Sequence, residues 1–167
     1  ATGDVDVVVS CAGVVTGRRL LDADVAAIRR TFDVNTLALY WVARAFLPGM
    51  VARDRGTVVT IASAAGLVGV ARQTDYAASK FAAVGFTESL RAELRGERSR
   101  VRTLLVCPYY IDTGMFEGVR TRVPWLLPIL REDDVARAVV DGIERGRSQI
   151  MLPPAVWLLP GMRLLGT

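Results

Sequence analysis

Thr57-Val58-Val59-Thr60-Ile61-Ala62 is a β-branched, apolar run that breaks at Ser63-Ala64-Ala65-Gly66 and gives way, from Thr74, to a long helical pattern that ends near Gly96. Apolar residues at consecutive rather than alternate positions suit a strand covered on both faces, and the small-residue break suits a loop leading into a helix. The same grammar recurs on either side. Residues 5–10 form a second short apolar run, closed by Cys11-Ala12-Gly13, and residues 24–53 carry a helical pattern through Val25, Ile28, Phe32, Leu39 and Phe46. Residues 101–107 make a third strand closed by Pro108, residues 113–130 are irregular and apolar, 132–145 are helical, and 149–152 end the pattern as a short strand. Strands alternating with helices predict an α/β domain built on a parallel sheet with helices on both faces. In such sheets reactive groups gather beyond the carboxyl ends of the strands, here Gly13, Ser63 and Pro108.

Composition narrows the function classes. The chain has 167 residues, enough for one domain, and 51% are hydrophobic, which argues against disorder. The net charge of +4 comes from scattered arginines rather than a basic run, so nothing favours a nucleic-acid partner. The sequence has no histidine, which excludes a Ser-His-Asp triad or a His-ligated metal from it. Cys11 and Cys107 lie in apolar strand-like runs and read as buried, reduced thiols of a cytoplasmic protein. No signal-peptide pattern occurs, nor any apolar run of the ~18 residues that a membrane span needs. Of 21 basic residues, Lys80 alone is lysine. A position that keeps lysine amid arginines suits a role that needs a compact ammonium with a tunable pKa.

Lys80 lies four residues after Tyr76, so the two share one face of the helix, a turn apart. A phenol, with a pKa near 10, is a poor acid–base group at neutral pH, and an ammonium beside it is expected to lower that value. Tyr76 could then give a proton to a carbonyl oxygen or take one from an alcohol. Ser63, at the end of the preceding strand and thirteen residues before Tyr76, could hold the same oxygen. A Tyr four before a Lys arises by chance in about a third of chains this long; the added serine, the strand end and the helix make the combination far rarer.

Ser63, Tyr76 and Lys80 at these spacings resemble the catalytic motif of the short-chain dehydrogenase/reductase family. Asn35, in Phe32-Asp33-Val34-Asn35, resembles the family's helix asparagine, which completes a proton relay. Cys11-Ala12-Gly13 is similar to the end of its Asn-Asn-Ala-Gly motif, and Pro108 to Thr113 to its Pro-Gly-x-x-x-Thr segment along the nicotinamide. The stretches Ile61 to Val70 and Thr113 to Val119 resemble the retinol and 17β-hydroxysteroid dehydrogenase branch. The resemblance runs from about residue 5 to residue 153. It implies a doubly wound Rossmann-type fold and NAD or NADP as cofactor. The implied catalytic set is Asn35, Ser63, Tyr76 and Lys80. Cys11, Ala12, Gly13, Tyr76, Lys80, Pro108, Ile111 and Thr113 would contact the cofactor. It further implies a homodimer or homotetramer paired through the helices that hold Asn35 and Tyr76.

The sequence departs from the pattern at Ser10-Cys11, in place of Asn-Asn, and at Tyr109, in place of glycine. It also lacks the family's Thr-Gly-x-x-x-Gly-x-Gly turn, whose glycines let the backbone approach the pyrophosphate at a helix N-terminus. The expectation is therefore the C-terminal portion of the fold, with about the first three family strands missing. Val5, Val7, Val8 and Val9 would then lie on an open edge. Residues 1–153 read as this catalytic portion and 154–167 as an apolar tail. Function is read as interconversion of a lipophilic, retinoid- or steroid-like alcohol with its ketone or aldehyde, or, alternatively, as a non-enzymatic remnant without cofactor affinity. Met115, Phe116, Val119, Val123, Trp125, Leu126, Leu127 and Ile129 suit either a lipophilic cleft or a loop packed on the core. Val156, Trp157, Leu158, Leu159, Met162, Leu164 and Leu165, with Arg163, suit a docked segment or a peripheral membrane contact. Glu132, Asp133 and Asp134 favour a helix start rather than a metal.

Overall fold

The computed structural model describes residues 4–115, 121 and 124–162. Four strands, β1 (Val7–Ser10), β2 (Thr57–Ile61), β3 (Arg102–Pro108) and β4 (Gln149–Leu152), form one parallel sheet in that order. Parallel neighbours need crossovers. These are supplied by α1 (Val25–Phe32) and α2 (Ala38–Ala52) between β1 and β2, α3 (Thr74–Gly96) between β2 and β3, and α4 (Glu132–Glu144) between β3 and β4. A short α5 (Leu159–Met162) follows β4. The expected α/β architecture is thus present.

The central strand shows why its residues are apolar throughout. Leu105 and Cys107 face α3 in a cluster with Ala83, Leu39 and Met151, whereas Leu104 and Val106 face α4 with Val59, Ile150, Val139 and Ile143. All four β3 side chains are fully buried; complete burial of a Leu or Val contributes about 1.5–3 kcal/mol. β1 differs. Val5 and Val8 pack, half-buried, against the Met50, Val58 and Leu90 cluster under α2 and α3, but Val7 and Val9 on the opposite face are 40% and 45% exposed. β1 is an edge strand of the described sheet, as expected with Val7 and Val9 open, whereas α4 packs on β3 and β4.

The helix expected over residues 24–53 is two helices joined by a π-helical turn, Asp33–Leu37, in which the Ala38 N–H reaches back five residues to the Asp33 carbonyl. Asp24 caps the first helix through the Ala27 N–H, satisfying a donor that the helix start leaves unpaired. α3 runs through Gly96, and the left-handed residue that turns the chain is Arg98, with Ser99 N–H bonded back to the Leu94 carbonyl. Cys11 is exposed, one residue beyond β1, which corrects its reading as a buried thiol; Cys107 is buried, and burial pushes its thiol up to about 12.

Ends of the long loop after β3 are pinned by a bridge between Ile111 and Leu130, with Leu130 N–H bonded to the Tyr110 carbonyl. Within it Trp125 and Ile129 are exposed and Leu127 is half-buried against the core; Phe116, Glu117, Gly118, Val119 and Val123 lie outside the described residues. In the C-terminal segment Val156 and Leu159 are buried in the cluster beneath α3, while Trp157 and Leu158 are exposed. Arg163, Leu164, Leu165 and the side chain of Met162 lie outside the described residues. Glu132, Asp133 and Asp134 occupy the first turn of α4. No helix among the described residues is long and apolar enough to cross a membrane.

Candidate active site

Beyond the carboxyl ends of the strands lies a cavity of about 600 Å³. Its wall includes Cys11 and Gly13 after β1, Ser63 to Ala65 after β2, Tyr76 and Lys80 on α3, and Pro108, Ile111 and Thr113 after β3. Ala12, expected with these, is exposed and does not line the cavity. Asn35 lies behind the wall and braces it. The structure thus gathers residues 69 positions apart in sequence, from Cys11 to Lys80, and a further set from the loop after β3.

The loop after β2 can lie on α3 because residue 66 is glycine. A Cβ there would stand 2.6 Å from the Lys80 carbonyl oxygen, a backbone atom that cannot yield. Ser63, at the strand end, accepts a bond from the Ala65 N–H at 3.1 Å, which sets the start of the short 3-10 turn Ala64–Gly66. Its hydroxyl lies beside the Tyr76 phenol and favours the phenolate.

Asn35 owes its position to the π-helical turn. Its side chain accepts from the Val14 N–H, donates to the Val14 carbonyl, both at 2.9 Å, and donates to Ser79 Oγ at 3.0 Å. It therefore locks the loop after β1 to α3, one residue before Lys80. Such π insertions recur at functional sites.

Tyr76 is 5% exposed and Lys80 4%. Lys80 Nζ donates to the Ile61 carbonyl at 2.9 Å and lies 5.7 Å from the centre of the Tyr76 ring. Burial lowers the Lys80 ammonium to about 8 from 10.5. Burial also raises the Tyr76 phenol above its ordinary value, opposed by the Ser63 hydrogen bond and reinforced by Tyr110. The sequence reading expected Lys80 to lower Tyr76. Burial outweighs any such effect, because low-dielectric surroundings disfavour the charged forms of both groups.

Residues that the sequence reading missed complete the surroundings. Asp75, buried beside Tyr76, accepts from Thr16 at 2.9 Å and from Thr31 at 3.0 Å, tying α3 to α1 and to the loop after β1. Gln73 donates to the Tyr110 hydroxyl at 3.5 Å across an otherwise apolar wall of Val68, Val70, Met115, Leu127 and Leu159. Nothing local marks these partners, which lie 37 to 59 positions apart; the one available signal was a carboxylate placed next to the tyrosine.

An ammonium has three donors, and one of those on Lys80 is bonded to Ile61. Lys80 lines the cavity, where its remaining donors suit ribose hydroxyls, and Gly13 brings bare backbone within van der Waals range: a Cβ there would be 3.6 Å from Lys80 Nζ. The residues present therefore fit the nicotinamide end of a dinucleotide.

Comparison with known proteins agrees. The family model for short chain dehydrogenases matches residues 1–124. Epidermal retinol dehydrogenase 2 of Mus musculus is 42% identical over 158 residues, covering 94% of this chain and 51% of that protein. Retinol dehydrogenase 10 of Homo sapiens is 42% identical over 164 residues, 96% of this chain and 48% of that protein. The chain thus spans about half the length of the curated relatives it matches. A short-chain dehydrogenase/reductase from Burkholderia phymatum, in complex with NAD, superposes with a TM-score of 0.83 at 26% identity, over 99% of this chain and 67% of that one. One from Burkholderia cenocepacia, in complex with NADP, gives 0.82 at 27%, over 98% and 67%. The strand order, the Ser63–Tyr76–Lys80 arrangement and these matches converge: the chain belongs to the short-chain dehydrogenase family.

Proposed function

We propose that the protein carrying this chain is an NAD- or NADP-dependent oxidoreductase that interconverts a lipophilic alcohol and its ketone or aldehyde. The observation that carries this is the convergence of the Ser63 hydroxyl, the Tyr76 phenol and the Lys80 ammonium on one largely apolar cavity. When bound, the nicotinamide nucleotide supplies or accepts the hydride. Lys80, Tyr76, Gly13, Pro108, Ile111 and Thr113 would hold its nicotinamide end.

Tyr76 is the acid–base group. The phenol gives its proton to a carbonyl oxygen in reduction and takes one from an alcohol in oxidation. Ser63, beside the phenol, orients that oxygen. Lys80 faces the ring and stabilises negative charge as it develops on the phenolate. Asn35 is a positioning residue, holding the loop after β1 against α3. Val68, Val70, Met115 and Leu127 exclude water and select an apolar chain, which accords with the relatives named retinol dehydrogenases. Exposed Trp157 and Leu158 suit a peripheral membrane contact from which such a substrate would arrive, and the apolar groove between α2 and α3, walled by Tyr40, Leu47 and Phe86, suits pairing of two copies.

The test is turnover of retinol and of a soluble short-chain alcohol by the full-length protein with each dinucleotide. Preference for retinol is expected; failure to reduce either dinucleotide with any lipophilic alcohol would overturn the reading.

A further inference from the structure

At the opposite end of the sheet, where β3 and β4 begin, a recess of about 350 Å³ is walled by four arginines: Arg91 and Arg95 of α3, Arg100 of the following turn and Arg102 of β3. Gly146 and Ser148, before β4, close it. We propose that this recess binds a phosphate-bearing anion.

One of the four, Arg91, is built into the fold, while Arg95, Arg100 and Arg102 reach the recess as exposed side chains. Arg91 is half-buried; its Nε donates to Thr103 Oγ1 at 2.9 Å and its Nη2 to the Ser148 carbonyl, so its guanidinium bridges β3 and the turn before β4. Arg102 lies directly over Gly146. That glycine has φ +64°, and a Cβ on it would stand 2.4 Å from Arg102 Nη1, so the guanidinium rests against bare backbone there.

Of the four, Arg100 pairs with Asp54, and the neighbouring Arg145 and Arg147 pair with Asp141. Among the described residues Arg91, Arg95 and Arg102 have no ion pair. Burial, and then repulsion from Arg95, disfavour the Arg91 charge, and Glu88 only partly offsets them. Arg95 also sits in the last turn of α3, where a cation is favoured by the helix dipole, but that accounts for one charge and not for the convergence of the others.

Guanidinium groups present planar forks of N–H donors that match phosphate oxygens two at a time. Arg91 keeps donors beyond the two it uses inside the fold, and the recess has room for a phosphate group with a small substituent. That chemistry has two sources, a free phosphate ester and the headgroup of an anionic lipid.

The experiment titrates inorganic pyrophosphate calorimetrically into the full-length protein, in saturating NAD or NADP so that the dinucleotide's own phosphate site is closed. In parallel, the protein is co-sedimented with phosphatidylcholine vesicles with and without phosphatidic acid. Binding of at least one probe is expected. The double variant Arg95→Gln/Arg102→Gln should weaken it by about tenfold or more, as loss of charge-assisted bonds implies. Gly146→Ala, which crowds Arg102 while keeping every charge, should weaken it severalfold. Oxidoreductase turnover in both variants should match the parent and so report an intact fold. Pyrophosphate binding without vesicle capture assigns the site to a free ester; capture that needs phosphatidic acid and both arginines assigns it to a lipid headgroup. Absence of binding to either probe, or equal binding by the double variant, overturns the proposal.

Discussion

The two ends of one sheet use polar side chains in opposite ways. At the carboxyl end Asn35, Asp75, Ser79 and Lys80 are buried, and each is bonded to backbone or hydroxyl groups. At the amino end the polar groups are charged and largely exposed. Asp4 pairs with Arg53, Asp6 with Arg55, Asp54 with Arg100, and Asp141 with Arg145. The difference teaches where energy is concentrated. A buried hydrogen bond broken on one side leaves a desolvated group unpaired, whereas an exposed ion pair that is broken returns two charges to water. Positional accuracy is therefore built at the carboxyl end, and solubility and turn geometry at the other.

Mutations sharpen this contrast. Lys80→Arg should lower turnover of the full-length protein by about a hundredfold or more, nearly as much as Lys80→Met, because a guanidinium does not fit the buried site between the Ile61 carbonyl and the Tyr76 ring. Steady-state kinetics of both variants checks this; near-normal turnover in the arginine variant would break the contrast. Asn35→Ala removes three bonds and should destabilise the fold by on the order of 3 kcal/mol in urea unfolding.

Lys80 also gives the carboxyl end a pH signature. Its folded pKa, about 8, lies below the ordinary 10.5. Between these values the unfolded chain binds more protons than the folded one, so stability rises with pH across that window, and below about pH 8 the full cost of the buried charge is present. Relative to Lys80→Met, the parent should gain on the order of 3 kcal/mol from pH 8 to 10.5, measured by denaturant unfolding at stepped pH. Arg145→Ala, at the amino end, should change stability by less than about 1 kcal/mol in the same assay.

Much of this architecture could be read from the sequence. Strands and helices were legible because apolar periodicity is local, and Ser63, Tyr76 and Lys80 because strand end and helix turn impose fixed spacings. The π-helical turn at Asn35 was not, since one extra residue in a helical hydrogen-bond pattern leaves the apolar periodicity almost unchanged. Nor was the clamp of Thr16 and Thr31 on Asp75, which links residues 59 and 44 positions apart. The shift at Tyr76 was expected in the wrong direction because spacing reveals a neighbouring charge but not the depth of burial.

The central claim is that Tyr76 moves the proton. Tyr76→Phe keeps the ring and its packing and removes only the hydroxyl. Turnover of the full-length protein with a lipophilic alcohol, measured beside the circular-dichroism melting curve, tests it most directly. The account predicts a fall in kcat of about a hundredfold or more with an unchanged melting transition. Retention of more than about a tenth of the parent kcat by a folded variant, well short of what acid–base catalysis contributes, would contradict it.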